Sequence, residues 1–299
     1  MVNSNGKEKT MMPMIAILIA GIIALLFLAL VLPQIIPTGA SKQVVEYKKF
    51  QSQNITENAV SLELSTFNGY VTVIPIESST ILINVTMRGT QDELKGITFD
   101  FKDQAGNGLW TFTLKVKSAT ILPLSNVSAT LDVFVPKDKA YNATLDTSNG
   151  YINVSSLTGE KLILHTSNGM IQFTKVEFIN MEVTTSNGAI RGSCSANKAT
   201  LSTSNGAITV SILNFGSYDI TTSNGRIEVD TVYNSPIWIQ AKTSNGKISY
   251  NMPLNITQSN NNSLLGNSNN YDPSKPNISL NLSTSNGNID IYFILEAAI

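Results

Sequence analysis

His165 is the only histidine in this 299-residue chain, so any base-assisted nucleophile would have to be built around it. Asp146 lies 19 residues earlier, and Ser148 and Ser167 stand two residues beyond Asp146 and His165 respectively. An acid to orient an imidazole, the imidazole as base and a hydroxyl as nucleophile are the types a Ser-His-Asp relay uses. Such a relay also needs hydrogen-bond donors aimed at the developing oxyanion and a site that excludes water. A second group, Arg226, Glu228 and Lys247, has the types that cluster on neighbouring coils of polysaccharide-cleaving β-helices. No zinc-ligand spacing, phosphate loop or dinucleotide fingerprint occurs, so neither cofactor nor metal is expected. Cys194 is the only cysteine, which rules out an internal disulfide.

What positions these residues is an internal repeat. Thr-Ser-Asn-Gly occurs seven times, giving the corner pairs Asn149-Gly150, Asn168-Gly169, Asn187-Gly188, Asn205-Gly206, Asn224-Gly225, Asn245-Gly246 and Asn286-Gly287. An altered copy ends in Asn68-Gly69. Glycines from Gly150 to Gly246 follow one another at 19, 19, 18, 19 and 21 residues, and the last step, to Gly287, is 41, close to two periods, as though a loop replaced one coil. Two residues after each glycine come Val71, Ile152, Ile171, Ile190, Ile208, Ile227, Ile248 and Ile289. Two before each threonine come Leu64, Leu145, Leu164, Val183, Leu201, Ile220, Ala241 and Leu282. Apolar residues alternating with polar ones on both sides of a fixed corner predict two short strands per repeat, each with one buried face.

Asn-Gly between alternating strands is also a hairpin signal, so a meander of hairpins is the competing arrangement. An identical corner returning beside the same columns favours an all-β single-chain β-solenoid of about 19-residue coils. Stacked about 4.8 Å apart, its asparagines form a ladder. The corner glycines are expected to supply a positive φ. On this register Asp146 and His165 are outward-facing neighbours on a flat surface without an oxyanion hole, which predicts an exposed hydrogen-bonded pair and no enzyme.

Charged residues are 14% and the net charge is -1, with no basic block, which argues against a nucleic-acid partner. Met14 to Leu32 is an unbroken apolar run of 19 behind Lys7 and Lys9. As a helix it would be about 28 Å long, enough to cross a bilayer core. The lysines orient it with the amino terminus inside and everything after Pro37 outside. A cleaved signal peptide ending near Ala40 is the rival reading, and it too exports the rest. The expected organisation is a short cytoplasmic segment (1–13), a single-pass transmembrane anchor (14–36), a stalk (37–59), an amino-terminal β-region (60–144) and a regular solenoid (145–299). The solenoid carries an asparagine-rich insertion at 251–279 that need not be ordered. Within 60–144, alternation on either side of Asp103 to Gly108 predicts an antiparallel hairpin; the region is either a cap or a set of degenerate coils.

Nine Asn-x-Ser/Thr sequons, at Asn54, Asn84, Asn126, Asn142, Asn153, Asn255, Asn261, Asn277 and Asn281, are candidate glycosylation sites in an exported chain. Tyr151 and Trp238 could stack on sugars or simply pack.

The strand ending in Val135-Pro136, then Leu-Asp-Thr-Ser-Asn-Gly-Tyr-Ile-Asn-Val and coil after coil of Ser-Asn-Gly-x-Ile, resembles the putative adhesin family of β-solenoid domains of unknown function. The resemblance runs from about Val60 to the carboxyl end and implies a surface-exposed solenoid. It brings no catalytic residues with it. The expected function is a membrane-anchored, extracytoplasmic β-solenoid with a binding, adhesion or envelope-structural role toward surface glycans or envelope proteins. The alternatives are a carbohydrate-active β-helix using Arg226 and Glu228, and an extracytoplasmic sensor that would need a membrane partner.

Overall fold

The computed structural model describes residues 42–118, 127–232 and 234–294. The proposed transmembrane run and Asn126 lie outside these; among the described residues no helix is long and apolar enough to cross a membrane.

The alternation becomes a stack of coils. Each coil is a leading strand that ends at the corner threonine and a trailing strand that begins at the corner isoleucine, and both pair in parallel with the coils above and below. In the Asn168 coil, Thr158–Thr166 leads and Ile171–Thr185 begins the trailing side. Leu164 pairs with Leu145 on one side and Val183 on the other, while Ile171 pairs with Ile152 and Ile190. Every apolar column position is buried except Ile248, in the last coil, which is half-buried. An interior coil thus removes Leu162, Leu164, Ile171 and Phe173 from water, at about 1.5–3 kcal/mol each.

Stack order departs from chain order. The Asn68 coil lies directly against the Asn149 coil, Leu64 opposite Leu145 and Val71 opposite Ile152. At the other end, Ile278–Thr284 and Ile289–Ile294 slot between two coils already in the stack. Leu282 pairs with both Ile220 and Ala241, and Ile289 with both Ile227 and Ile248. The order is therefore Asn68, 149, 168, 187, 205, 224, 286, 245. The 41-residue step does not mark a coil replaced by a loop.

The insertion that it contains is ordered. Leu254–Asn260 and Ser263–Ser268 form an antiparallel hairpin whose second strand pairs with Ile237–Thr243 and buries Leu264, Gly266 and Ser268. Part of the expected stalk is likewise structured: Gln43–Gln51 is a strand antiparallel to Leu82–Thr90. Those two strands and Ile97–Gly106 are the cap. Between cap and Asn68 coil, Leu109–Ser118 and Ser128–Pro136 run parallel to Ala59–Thr66 and Val71–Ile76 as one further coil without an Asn-Gly corner. Cap and degenerate coil are thus both present. Phe50 reaches across to Phe99 and Phe101, ring centroids 5.3 and 5.1 Å away, and closes that end of the core. The one short described helix, Gln91–Lys95, starts in a Thr90/Glu93 capping box.

Candidate functional site

The corners are the most repeated constellation, and each of their four residues has a separate task. The buried threonine donates its hydroxyl to the carbonyl of the preceding corner: Thr166 to Gly150, Thr185 to Gly169, Thr203 to Gly188, each at 2.9 to 3.0 Å. The serine carbonyl accepts two backbone amides from the next coil, as Ser148 accepts from Ser167 and Asn168. The asparagine carboxamide donates to the one before it. Seven bonds of 2.5 to 2.8 Å join all eight side chains from Asn68 to Asn245, with Asn286 between Asn224 and Asn245. At the far end Asn262, from the insertion, donates its side-chain amide to Ser244 O, replacing the coil that is not there.

The glycine's task differs from the one expected. None of the corner glycines has a positive φ. A Cβ at Gly150, Gly169 or Gly188 would instead lie 1.6 to 1.7 Å from the carbonyl oxygen of the glycine before it, so the corner needs glycine because two backbones touch there. Positive φ does occur at Asn107-Gly108 (53° and 74°), the hairpin turn predicted between Ile97–Gly106 and Leu109–Ser118.

Asp146 and His165 are opposite each other in the pairing register, as expected, yet no hydrogen bond or ion pair joins them. The nearby corner amides of Ser167 and Asn168 are both engaged by Ser148 O. They are therefore not free to receive an oxyanion, and Ser148 and Ser167 have no base directed at them.

Arg226 and Glu228 do meet, with Arg226 Nη2 2.8 Å from Glu228 Oε2, but Lys247 is not beside them. The inserted coil places Asn288 between Arg226 and Lys247 in the stack. Arg226 donates its Nε to Asp290 Oδ2 at 2.6 Å, a partner 64 residues away that chain order concealed. That hydrogen bond raises the guanidinium pKa further above its ordinary value. Asp230, outward on the same strand as Glu228, has its carboxyl pKa raised by burial and by the Glu228 charge. No group of three or more His, Cys, Asp or Glu side chains suited to a metal ion occurs among the described residues. Cys194 is buried, and burial pushes its thiol up to about 12.

The outer faces carry the remaining candidates. A shallow cleft of about 390 Å³ opens on the leading face between Lys161, Asn180, Glu182 and Lys198. Tyr151 is edge-on to the exposed Tyr70 at 6.0 Å and donates its hydroxyl to Gln172, whereas Trp238 faces outward on the leading strand opposite Asn267 and Ser279. Of the sequons, Asn54, Asn84, Asn255, Asn261 and Asn281 are exposed, and Asn142, Asn153 and Asn277 are half-buried. The Asn281 amide donates to Asp219 and that of Asn277 to Lys275 O.

No curated protein matches the chain. Among solved structures it is similar to a putative cell adhesion protein from Clostridium sporogenes (13% identity, 85% of this chain and 100% of that one, TM-score 0.37). It is also similar to a putative adhesin from Bacteroides fragilis (9% identity, 84% and 98%, TM-score 0.39) and to a putative lipid binding protein from Parabacteroides distasonis (12% identity, 82% and 96%, TM-score 0.28). The family model described as Toastrack DUF4097 matches residues 38–292, so the chain belongs to the Toastrack DUF4097 family.

Proposed function

We propose that this protein is an exported, membrane-anchored β-solenoid that acts by binding, presenting its outer faces to surface glycans or envelope proteins. The observation that carries this reading is the parallel stack itself. It holds polar columns such as Asn153, Gln172, Arg191 and Thr209 at a fixed spacing of about 4.8 Å on a surface too rigid to need ordering on contact. The leading-face cleft, with two lysines flanking Asn180 and Glu182, offers both donors and an acceptor to a hydroxylated or acidic sugar. The test is to hold the full chain in detergent and measure retention of a glycan array and of solubilised envelope, with Lys161→Ala/Lys198→Ala as comparison. Retention that falls in the double variant supports the reading; no retention of either would end it.

A second reading, cleavage of a polysaccharide, is favoured by Glu228 and Asp230, neighbouring outward carboxylates, with burial raising the Asp230 carboxyl above its ordinary value. Turnover on a polysaccharide panel that disappears in Glu228→Gln would establish it, and no turnover would remove it.

A further inference from the structure

The described sheets end in four free strands: Gln43–Gln51 and Ile97–Gly106 at one end, Ile248–Tyr250 and Leu254–Asn260 at the other. Unpaired strand edges invite pairing with another chain, and charged side chains are the usual guard. Gln43–Gln51 carries Glu46, Lys48 and Lys49; Ile97–Gly106 carries Asp100, Lys102 and Asp103; Ile248–Tyr250 is three residues long and follows Lys247. Leu254–Asn260 has none of this. No charged residue stands anywhere between Lys247 and Asp272. The strand is exposed along almost its whole length, with Ile256 45% exposed, and its one irregularity is a register shift between Ile256 and Gln258.

What this edge has instead is a sequon at each end. Asn255 (Asn-Ile-Thr) lies near its start, and Asn261 (Asn-Asn-Ser) lies in the turn that follows. Both are exposed, and their carboxamides engage no partner, unlike those of Asn277 and Asn281. Neighbouring Asn262 separately caps Ser244 O, so modification at Asn261 leaves that cap intact.

We propose that N-linked glycans on Asn255 and Asn261 cover this edge and prevent it from pairing with a second copy of the chain. The inference rests on the exported placement proposed above. In the modification the Asn Nδ2 attacks the anomeric carbon of a lipid-linked oligosaccharide. The new N–C bond forms as the C–O bond to the phosphate carrier breaks, the amide gives up a proton, and the lipid phosphate leaves. The hydroxyls of Thr257 and Ser263 complete the two acceptor sequences. A pairing strand must approach to about 4.8 Å, a distance a glycan rooted on the edge does not allow.

The test expresses the full chain in a host that N-glycosylates exported proteins, reads occupancy by peptide mass spectrometry and reads self-association by light scattering after gel filtration. Three forms are compared: the native sequence, Thr257→Ala/Ser263→Ala, and Thr257→Lys/Ser263→Ala. The last two lose the same glycans, but only the Lys variant places a charge on the edge. The proposal expects Asn255 and Asn261 to be occupied, the Ala variant to self-associate at least several-fold more than the native form, and the Lys variant to return toward a single species. Occupancy of Asn54 or Asn84 with Asn255 and Asn261 bare overturns this proposal alone, whereas no occupancy anywhere overturns the exported placement as well. An Ala variant as dispersed as the native form, or a Lys variant that associates equally, also overturns it.

Discussion

Gly188→Ala separates two explanations of the corner. If the residue were glycine for its conformational freedom, alanine would cost about 1 kcal/mol. The contact geometry demands more. A Cβ at Gly188 lies 1.7 Å from Gly169 O, and real Cβ contacts essentially never fall below 3.0 Å, so the two coils must part by about 1.3 Å at this corner. Five hydrogen bonds cross that gap: Ser186 N and Asn187 N to Ser167 O, Asn187 Nδ2 to Asn168 Oδ1, Thr185 Oγ1 to Gly169 O, and Ile171 N to Ala189 O. A bond of 3.0 Å stretched by that much is no longer one. Losing three of the five costs about 3 kcal/mol, and the buried Thr185 O–H, left without an acceptor although its oxygen still accepts Gly188 N–H, adds about 1–2 kcal/mol. The expected loss is therefore about 4–5 kcal/mol, read as a lowered urea midpoint by far-ultraviolet circular dichroism. Gly106→Ala, where a Cβ meets nothing within 4 Å, is the control and is expected to cost under about 1 kcal/mol. A Gly188→Ala loss no larger than the control's would refute the contact argument.

Asn187→Ala removes one donated and one accepted bond from the ladder and is expected to cost about 1–2 kcal/mol, whereas Asn245→Ala, at the ladder's end, breaks one and should cost about half as much; urea midpoints check both. Stack order is tested by disulfides: Asn224→Cys with Asn286→Cys should crosslink on mild oxidation, and Asn224→Cys with Asn245→Cys should not, because adjacent coils are about 4.8 Å apart and alternate ones about twice that. Cys194 should resist a thiol reagent at pH 8 until the chain unfolds. Because its folded pKa is raised to about 12, the unfolded chain loses that proton first, so its contribution to stability is intact below about pH 8.5 and declines between there and about pH 12, measurable as a falling urea midpoint.

Much of this architecture was legible because the side chains that make it recur in fixed columns. The Ile152, Ile171 and Ile190 series, the Asn149 to Asn224 ladder and the Asn107-Gly108 hairpin all follow from alternation and spacing. What stayed hidden depends on contacts that one sequence does not rank. Gln43–Gln51 looks like a stalk because its partner, Leu82–Thr90, is distant in the chain and its exposed side chains mix Lys48, Lys49 and the two glutamines with Val45 and Tyr47, so neither face reads as buried. The asparagine-rich insertion reads as unordered because its order comes from pairing with Ile237–Thr243, not from an apolar face of its own. Two Asn-Gly dipeptides can also adopt different backbones, a positive-φ turn at Asn107 and a touching corner at Asn187. What sets the corner apart is the buried threonine, which ties it to its neighbour.

The regularity that made the columns readable is also what concealed the stack order. Every corner presents the same carbonyl, amide and carboxamide, so the Asn286 coil fits between Asn224 and Asn245 as well as it would fit at the end. Chain order then says little about which outward side chains meet. Arg226 finds Asp290 rather than Lys247 for this reason. The same insertion leaves the Asn245 coil, and not the last one in sequence, to form the end of the stack, which is why the hairpin and Asn262 are needed there to satisfy Ser244 O and the edge of Ile237–Thr243. A binding face on such a solenoid is composed by stacking, and substitutions meant to map it must be chosen from coil neighbours and not from repeat neighbours.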